Sequence, residues 1–229
     1  DFQKYPFDRF VWNDNLGYVY SFIDPTTALY YYNQAERFLD SSTLYPERKV
    51  RHFCRKAQVL NGNKYLQRLS IDKALKFTLN EFCPDIAKGV AFTELGVFNA
   101  SAFSYEEADN NFKRAYKLLD RLSKEDRRIS YLNMNYAQNL CNLHQYDEAV
   151  GVLTRQLETT ETLFGRYSRE YAEILRQLLF VVCKYSLPIP SADDLYKEYK
   201  SLSSHHVSGV RDYDDVMLDV FYGLHKTNG

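Results

Sequence analysis

A short pattern that returns along the chain constrains its fold more than any other feature. Leu95-Gly96 stands between Phe92 and Asn99 and is followed by Ala108, Phe112 and Ala115. Asn133, Tyr136-Ala137, Leu140 and Ala149 take the equivalent places, and Leu175, Leu178-Leu179 and Val182 take them again. Positions 96, 137 and 179 thus recur after 41 and then 42 residues. Self-similarity at such a period means stacked units that cannot bury their apolar faces alone. The spacing within each unit is helical. Gly96 is expected to let a second helix come close, with Ala108 as its small counterpart and Leu95 and Phe112 filling the space on either side. Ser104 with Glu107 predicts a capping box that opens this second helix. Upstream, Leu16-Gly17, Tyr20, Tyr32 and Ala35 form another unit, whose second helix opens with Asp24-Pro25, a cap followed by proline in the first turn. A weaker unit runs from Val50 through Ala57 and Leu60 to Ala74 and Phe77.

Composition agrees with helices joined by short connections. The 229 residues hold only 9 Gly and 6 Pro, too few for the many tight turns of an all-β fold. The hydrophobic share is 45% and the charged share 26%, an ordinary globular balance. A formal net charge of -1 provides no global field for nucleic acid or an anionic membrane. Cys54, Cys83, Cys141 and Cys183 are widely spaced without a CxxC pair, which predicts free, buried thiols in a reducing, cytoplasmic compartment. Neither a membrane-length apolar run nor a signal peptide is visible. Because the chain opens with Asp1 rather than Met, it is expected to be a processed product or part of something larger.

The pattern from Phe92 to Ala115 resembles the tetratricopeptide repeat (TPR), departing from it at Asn99, where an aromatic residue is usual. The likeness extends over about residues 10–205. Its long period, together with the stretch Tyr146-Asp147-Glu148-Ala149 through Leu163-Phe164-Gly165 to Tyr171-Ala172, resembles the long-helix repeats of kinesin light chains and of Rap- and PlcR-type peptide-sensing regulators. The resemblance implies an all-α, right-handed superhelical solenoid of about five hairpins, near 10–45, 46–83, 86–121, 127–164 and 167–204. A linker and a capping helix would occupy 206–229. It further implies a non-catalytic scaffold that binds a protein or a short linear peptide in a concave groove. The alternative is the ligand-sensing domain of a larger transcription regulator or signalling ATPase.

No catalytic, metal or cofactor pattern competes with that reading. His52, His144, His205, His206 and His225 form no HExxH frame and have no ligand-spaced partners. His205-His206 lies in a serine-rich stretch and is expected in a solvated loop. Asn61-Gly62-Asn63 reads as a helix terminus rather than a phosphate loop, and GxSxG is absent. The acidic pairs Glu106-Glu107 and Asp214-Asp215 suit helix starts, where they favour the dipole.

Carried over from the TPR pattern, the groove-facing positions are Thr93, Glu94 and Val97 in one unit. In the next they are Met134, Asn135 and Gln138, with Tyr131 and Asn142 a turn away, and in the following unit Arg176, Gln177 and Phe180. The run Asn133, Asn135, Gln138, Asn139 and Asn142 is unusual on a helix, because these amides are indifferent or poor helix formers. Each can both donate to and accept from the backbone of an extended peptide. The lysines that clamp a terminal carboxylate in chaperone-binding TPRs are missing, since Asp14, Val59, Thr93 and Met134 stand at one such position. Arg48, Lys49, Arg51, His52, Arg55 and Lys56 form a basic stripe, either a site for nucleic acid or an acidic peptide or a solvated helix face. The neutral chain and the lack of interleaved aromatics favour the solvated face, so nucleic acid is not an expected partner. Val210, Tyr213, Val216, Met217, Val220, Phe221 and Leu224 predict a single apolar face on a terminal helix. That helix would cap the array or serve docking or homodimer formation.

Overall fold

A computed structural model describes residues 6–39, 45–122, 126–187, 192–206 and 213–228, and the regular structure among them is helical. The helices are α1 (Pro6–Tyr20), α2 (Pro25–Glu36), α3 (Pro46–Val59), α4 (Lys64–Thr78), α5 (Asp85–Ser101) and α6 (Tyr105–Leu119) in the first half. The second half has α7 (Arg127–Asn142), α8 (Tyr146–Phe164), α9 (Arg169–Lys184), α10 (Ala192–His206) and α11 (Tyr213–Asn228). Contacts divide the chain into two compact units, Asp1–Arg121 and Leu122–Gly229.

Within the first unit, α1 pairs with α2, α3 with α4 and α5 with α6, while α3 also packs on α5. Small residues set how close these hairpins lie. A Cβ placed on Gly96 would come within 2.6 Å of the Phe112 ring, and one on Gly17 within 2.7 Å of the Tyr32 ring. The aromatic ring of the second helix therefore sits directly on the glycine. Ala108 is fully buried, but Phe112 rather than Ala108 faces Gly96. Asp24 caps α2 as its sequence predicts, accepting from the backbone N–H groups of Thr26 and Thr27 at 3.0 and 3.1 Å with Pro25 in the first turn. Asn63 caps α4 by accepting from the Leu66 N–H at 3.1 Å. Ser104 stands at the N-cap of α6, yet its side chain makes no capping bond, so the expected capping box is not formed.

The basic stripe on α3 is not a solvated face. Lys49 and His52 are buried, and Arg51 is exposed. His52 Nδ1 lies 2.9 Å from Asp14 Oδ1, Arg55 donates to Asp14 Oδ2 at 3.1 Å, and Lys56 pairs with Glu36. The amphipathic pattern alone could not reveal this, because carboxylates on α1 and α2 supply the missing half.

In the second unit, α7 pairs with α8, and α9 packs against α8, α10 and α11 and also touches α7. The α9 helix is its centre, burying Leu175, Leu178, Leu179, Val181 and Val182. The terminal helix departs from expectation. Leu218 is fully buried, and Phe221 meets Phe180 edge-on at 5.3 Å. Tyr222 stacks on Tyr196 at 3.6 Å, while Val216, Val220 and Leu224 are exposed. The face that packs is therefore built around Leu218, Phe221 and Tyr222, bound to α10 by Lys200–Asp219 and Lys226–Asp193 pairs at 3.1 and 2.7 Å. Val210 lies outside the described residues. His205 and His206 belong to the last turn of α10 rather than to a loop.

Candidate ligand-binding cavity

The α7 and α9 helices place polar side chains around a cavity of about 260 Å³. Met134, Asn135 and Gln138 come from α7, and Glu173, Arg176, Gln177, Phe180 and Val181 from α9, with Leu153 contributed by α8. The α9 residues follow i, i+3, i+4, i+7 and i+8, which puts them on one helical face. Six residues expected in a groove from the sequence, Met134, Asn135, Gln138, Arg176, Gln177 and Phe180, thus line one cavity.

Hydrogen bonds fix what these polar groups can still do. Asn135 Nδ2 donates to the Tyr131 backbone carbonyl one turn earlier, at 2.7 Å. Gln138 Nε2 donates to the Tyr185 hydroxyl at 3.1 Å. Gln177 Nε2 donates to Glu173 Oε1 at 2.9 Å, and the same carboxylate takes Arg176 through Nη2 at 2.7 Å and Nε at 3.3 Å. Each amide therefore spends one of its two N–H donors within the unit, and Glu173 engages the guanidinium. The amide oxygens of Asn135, Gln138 and Gln177 have no partner among the described residues and are not sealed from solvent.

The rest of the asparagine run divides between roles. Asn133 is buried and donates to Gln156 Oε1, which in turn bonds Thr160 through Nε2 at 3.3 Å. Asn139 is fully buried. The Asn133–Gln156 bond ties α7 to α8, whereas Asn135 and Gln138 reach the cavity. Tyr131 and Asn142 are half-buried and are not among the lining residues.

No protein-family model matches the chain, and no characterised protein matches it in sequence. Solved structures do match its fold. The crystal structure of BtubC (BKLC) from P. vanneervenii superimposes with a TM-score of 0.70 at 15% identity, over 86% of this chain and 79% of that one. A Podosopora anserina putative kinesin light chain with nearly identical TPR-like repeats gives 0.66 at 13% identity, over 90% of this chain and 100% of that one. A single-substitution variant of the same description gives 0.66 at 12% identity, over 86% and 95%. The chain has a TPR-like repeat fold.

The other expected groove residues of this TPR-like chain lie in the first unit. Thr93 and Glu94 are buried and Val97 is half-buried on α5. Thr93 Oγ1 donates back to the Gly89 carbonyl at 3.0 Å, and Glu94 Oε1 accepts from Gln58 Nε2. Both polar groups thus have partners inside their unit, supplied by backbone and by α3. Leu153, Glu173 and Val181 are lining residues that the groove rule does not name. Glu173 and Val181 were findable, since each is four residues from Gln177 on one helical face. Leu153 was not, because it belongs to the second helix of a hairpin, while the rule considers first helices alone.

The four cysteines are free and buried, and burial pushes the Cys141 and Cys183 thiols up to about 11. Among the described residues, no His, Cys, Asp and Glu side chains gather into a metal-holding group, and no helix is long and apolar enough to cross a membrane.

Proposed function

We propose that the chain is a non-catalytic scaffold that binds a protein or a short linear peptide through the α7–α9 face of its second unit. One observation carries this reading: eight side chains from α7 and α9, with Leu153 from α8, line a cavity that combines apolar groups with amide oxygens unpaired among the described residues. Its volume of about 260 Å³ lies below the roughly 300–1,000 Å³ of small-molecule and cofactor sites. One or two side chains of a partner suit it better than a coenzyme. The TPR-like fold supports the same class, because repeat arrays present extended surfaces to other chains. Five helical hairpins and a terminal helix, α11, are the repeat division that we favour. Four free, buried thiols suit a reducing compartment, and we place the protein in the cytoplasm.

The test is capture from cell extract by the wild type and by an Asn135→Ala, Gln138→Ala double variant, with bound material identified by mass spectrometry. Each hydrogen bond contributes about 1 kcal/mol, so the double variant should bind its partner about tenfold more weakly or worse while keeping its helical spectrum. Unchanged binding would move the partner to another surface.

A further inference from the structure

Resting on the reading of this face as a peptide site, the geometry points to a basic side chain, lysine or arginine, as the group that enters the cavity. Two of the three amide orientations are decided by chemistry. Asn135 bonds a backbone carbonyl and Gln177 bonds a carboxylate, acceptors that only an NH2 group can satisfy, so their oxygens are the ends left over. Arg176 is held by Glu173 through two nitrogens, which neutralises the one cation in the lining and leaves it poorly placed to clamp a carboxylate or phosphate. Each NH2 group keeps a second hydrogen, but each amide oxygen keeps both lone pairs, so these amides have more acceptor than donor capacity left.

An extended backbone brings a carbonyl with every N–H and no charge, and so uses such a wall only in part. Lysine and arginine carry donors only, on an aliphatic stem that can lie along apolar surface. Met134, Leu153, Phe180 and Val181 provide that surface, and the Phe180 ring is a face on which a cation is favoured. Lys184 stands over the Phe180 and Tyr185 rings at 5.5 and 5.1 Å but outside the lining. The second unit as a whole carries 15 acidic against 12 basic residues, a balance that favours a basic partner.

The experiment selects binders from a bead-bound heptapeptide library randomised at its central positions, using the full chain. Lysine or arginine should be enriched at one position. A selected peptide resynthesised with norleucine there should bind about tenfold more weakly or worse, since hydrogen bonds to charged groups are the strong ones. Gln177→Lys, a substitution at a half-buried surface position, should abolish that binding, and Gln177→Glu should strengthen it. Circular dichroism of both variants should match the wild type. Selected peptides that are neutral or acidic, and that lose binding in Phe180→Ala, would leave the peptide site standing and overturn the basic side chain. If no peptide is selected, or binding ignores Phe180 and Gln177 alike, the peptide reading falls as well.

Discussion

Asp14 in the first unit and Asn135 in the second are both polar residues on the first helix of a hairpin, yet they meet opposite fates. Asp14 is 2% exposed and spends both carboxylate oxygens, one on His52 at 2.9 Å and one on Arg55 at 3.1 Å. The neighbouring Glu36 takes Lys56 and Lys73 and faces His52 Nε2 at 3.8 Å. Complementary charges on neighbouring helices tie the framework together. At the α7–α9 wall each amide spends one N–H within the unit and keeps its oxygen within reach of solvent. A polar group that an adjoining helix completes becomes part of the framework. One completed only halfway stays open to solvent, and the difference lies in what the next helix brings rather than in residue type.

The largest expected effect breaks the closed network. Asp14→Ala removes the shared acceptor and leaves His52, which is fully buried, and Arg55 without it. Breaking a buried pair from one side costs about 3–5 kcal/mol. Urea denaturation should show the lower end of that cost, since Arg55 retains some access to water. A loss under about 1 kcal/mol would mean that the network contributes little. Acid should act on the same place more gradually. Burial pushes the Glu36 carboxyl up, but its contacts with His52, Lys56 and Lys73 outweigh burial and hold it well below the usual carboxylate range. A group lowered on folding gives stability that is complete above its unfolded value of about 4.3 and is lost as pH falls towards the folded one. The wild type should therefore lose stability below about pH 4.3, and Glu36→Gln should flatten that decline. An identical acid limb in urea midpoints for the two proteins would remove Glu36 from the network.

How far the sequence can be read follows from the same distinction. The helical hairpins are legible because Gly17 and Gly96 are required locally, each lying under a ring from the following helix. Asp24-Pro25 is legible because a cap acts within four residues. The basic stripe reads wrongly as solvated because Asp14 is 38 residues from His52, and no periodicity within α3 reports on it. Ser104 satisfies a motif whose bond is not made. At the candidate site, register finds the residues of α7 and α9 but cannot tell Asn133 and Asn139, which are buried, from Asn135. It also places Thr93 and Glu94 by analogy on a surface, where the packing of α3 against α5 has buried them. On α11, apolar spacing marks a broad stripe, but aromatic contacts with Phe180 and Tyr196 select which side is covered.

The smallest effect sharpens the comparison most, because its sign differs. Asn135 donates only to the carbonyl of its own preceding turn, a bond that competes with the helix's regular pattern. Alanine gives up that bond but is the better helix former by up to about 0.7 kcal/mol. Asn135→Ala should thus leave stability unchanged or raise it by about 0.5 kcal/mol or less, against the several kcal/mol expected at Asp14. Urea midpoints of the single variant measure this without knowledge of the ligand. A loss of about 1 kcal/mol or more, the worth of a typical hydrogen bond, would show that Asn135 belongs to the framework as Asp14 does, and the wall would then have one fewer oxygen to offer. Neutral stability combined with weakened capture is the signature of a side chain kept for a partner, since helix propensity by itself would favour alanine there.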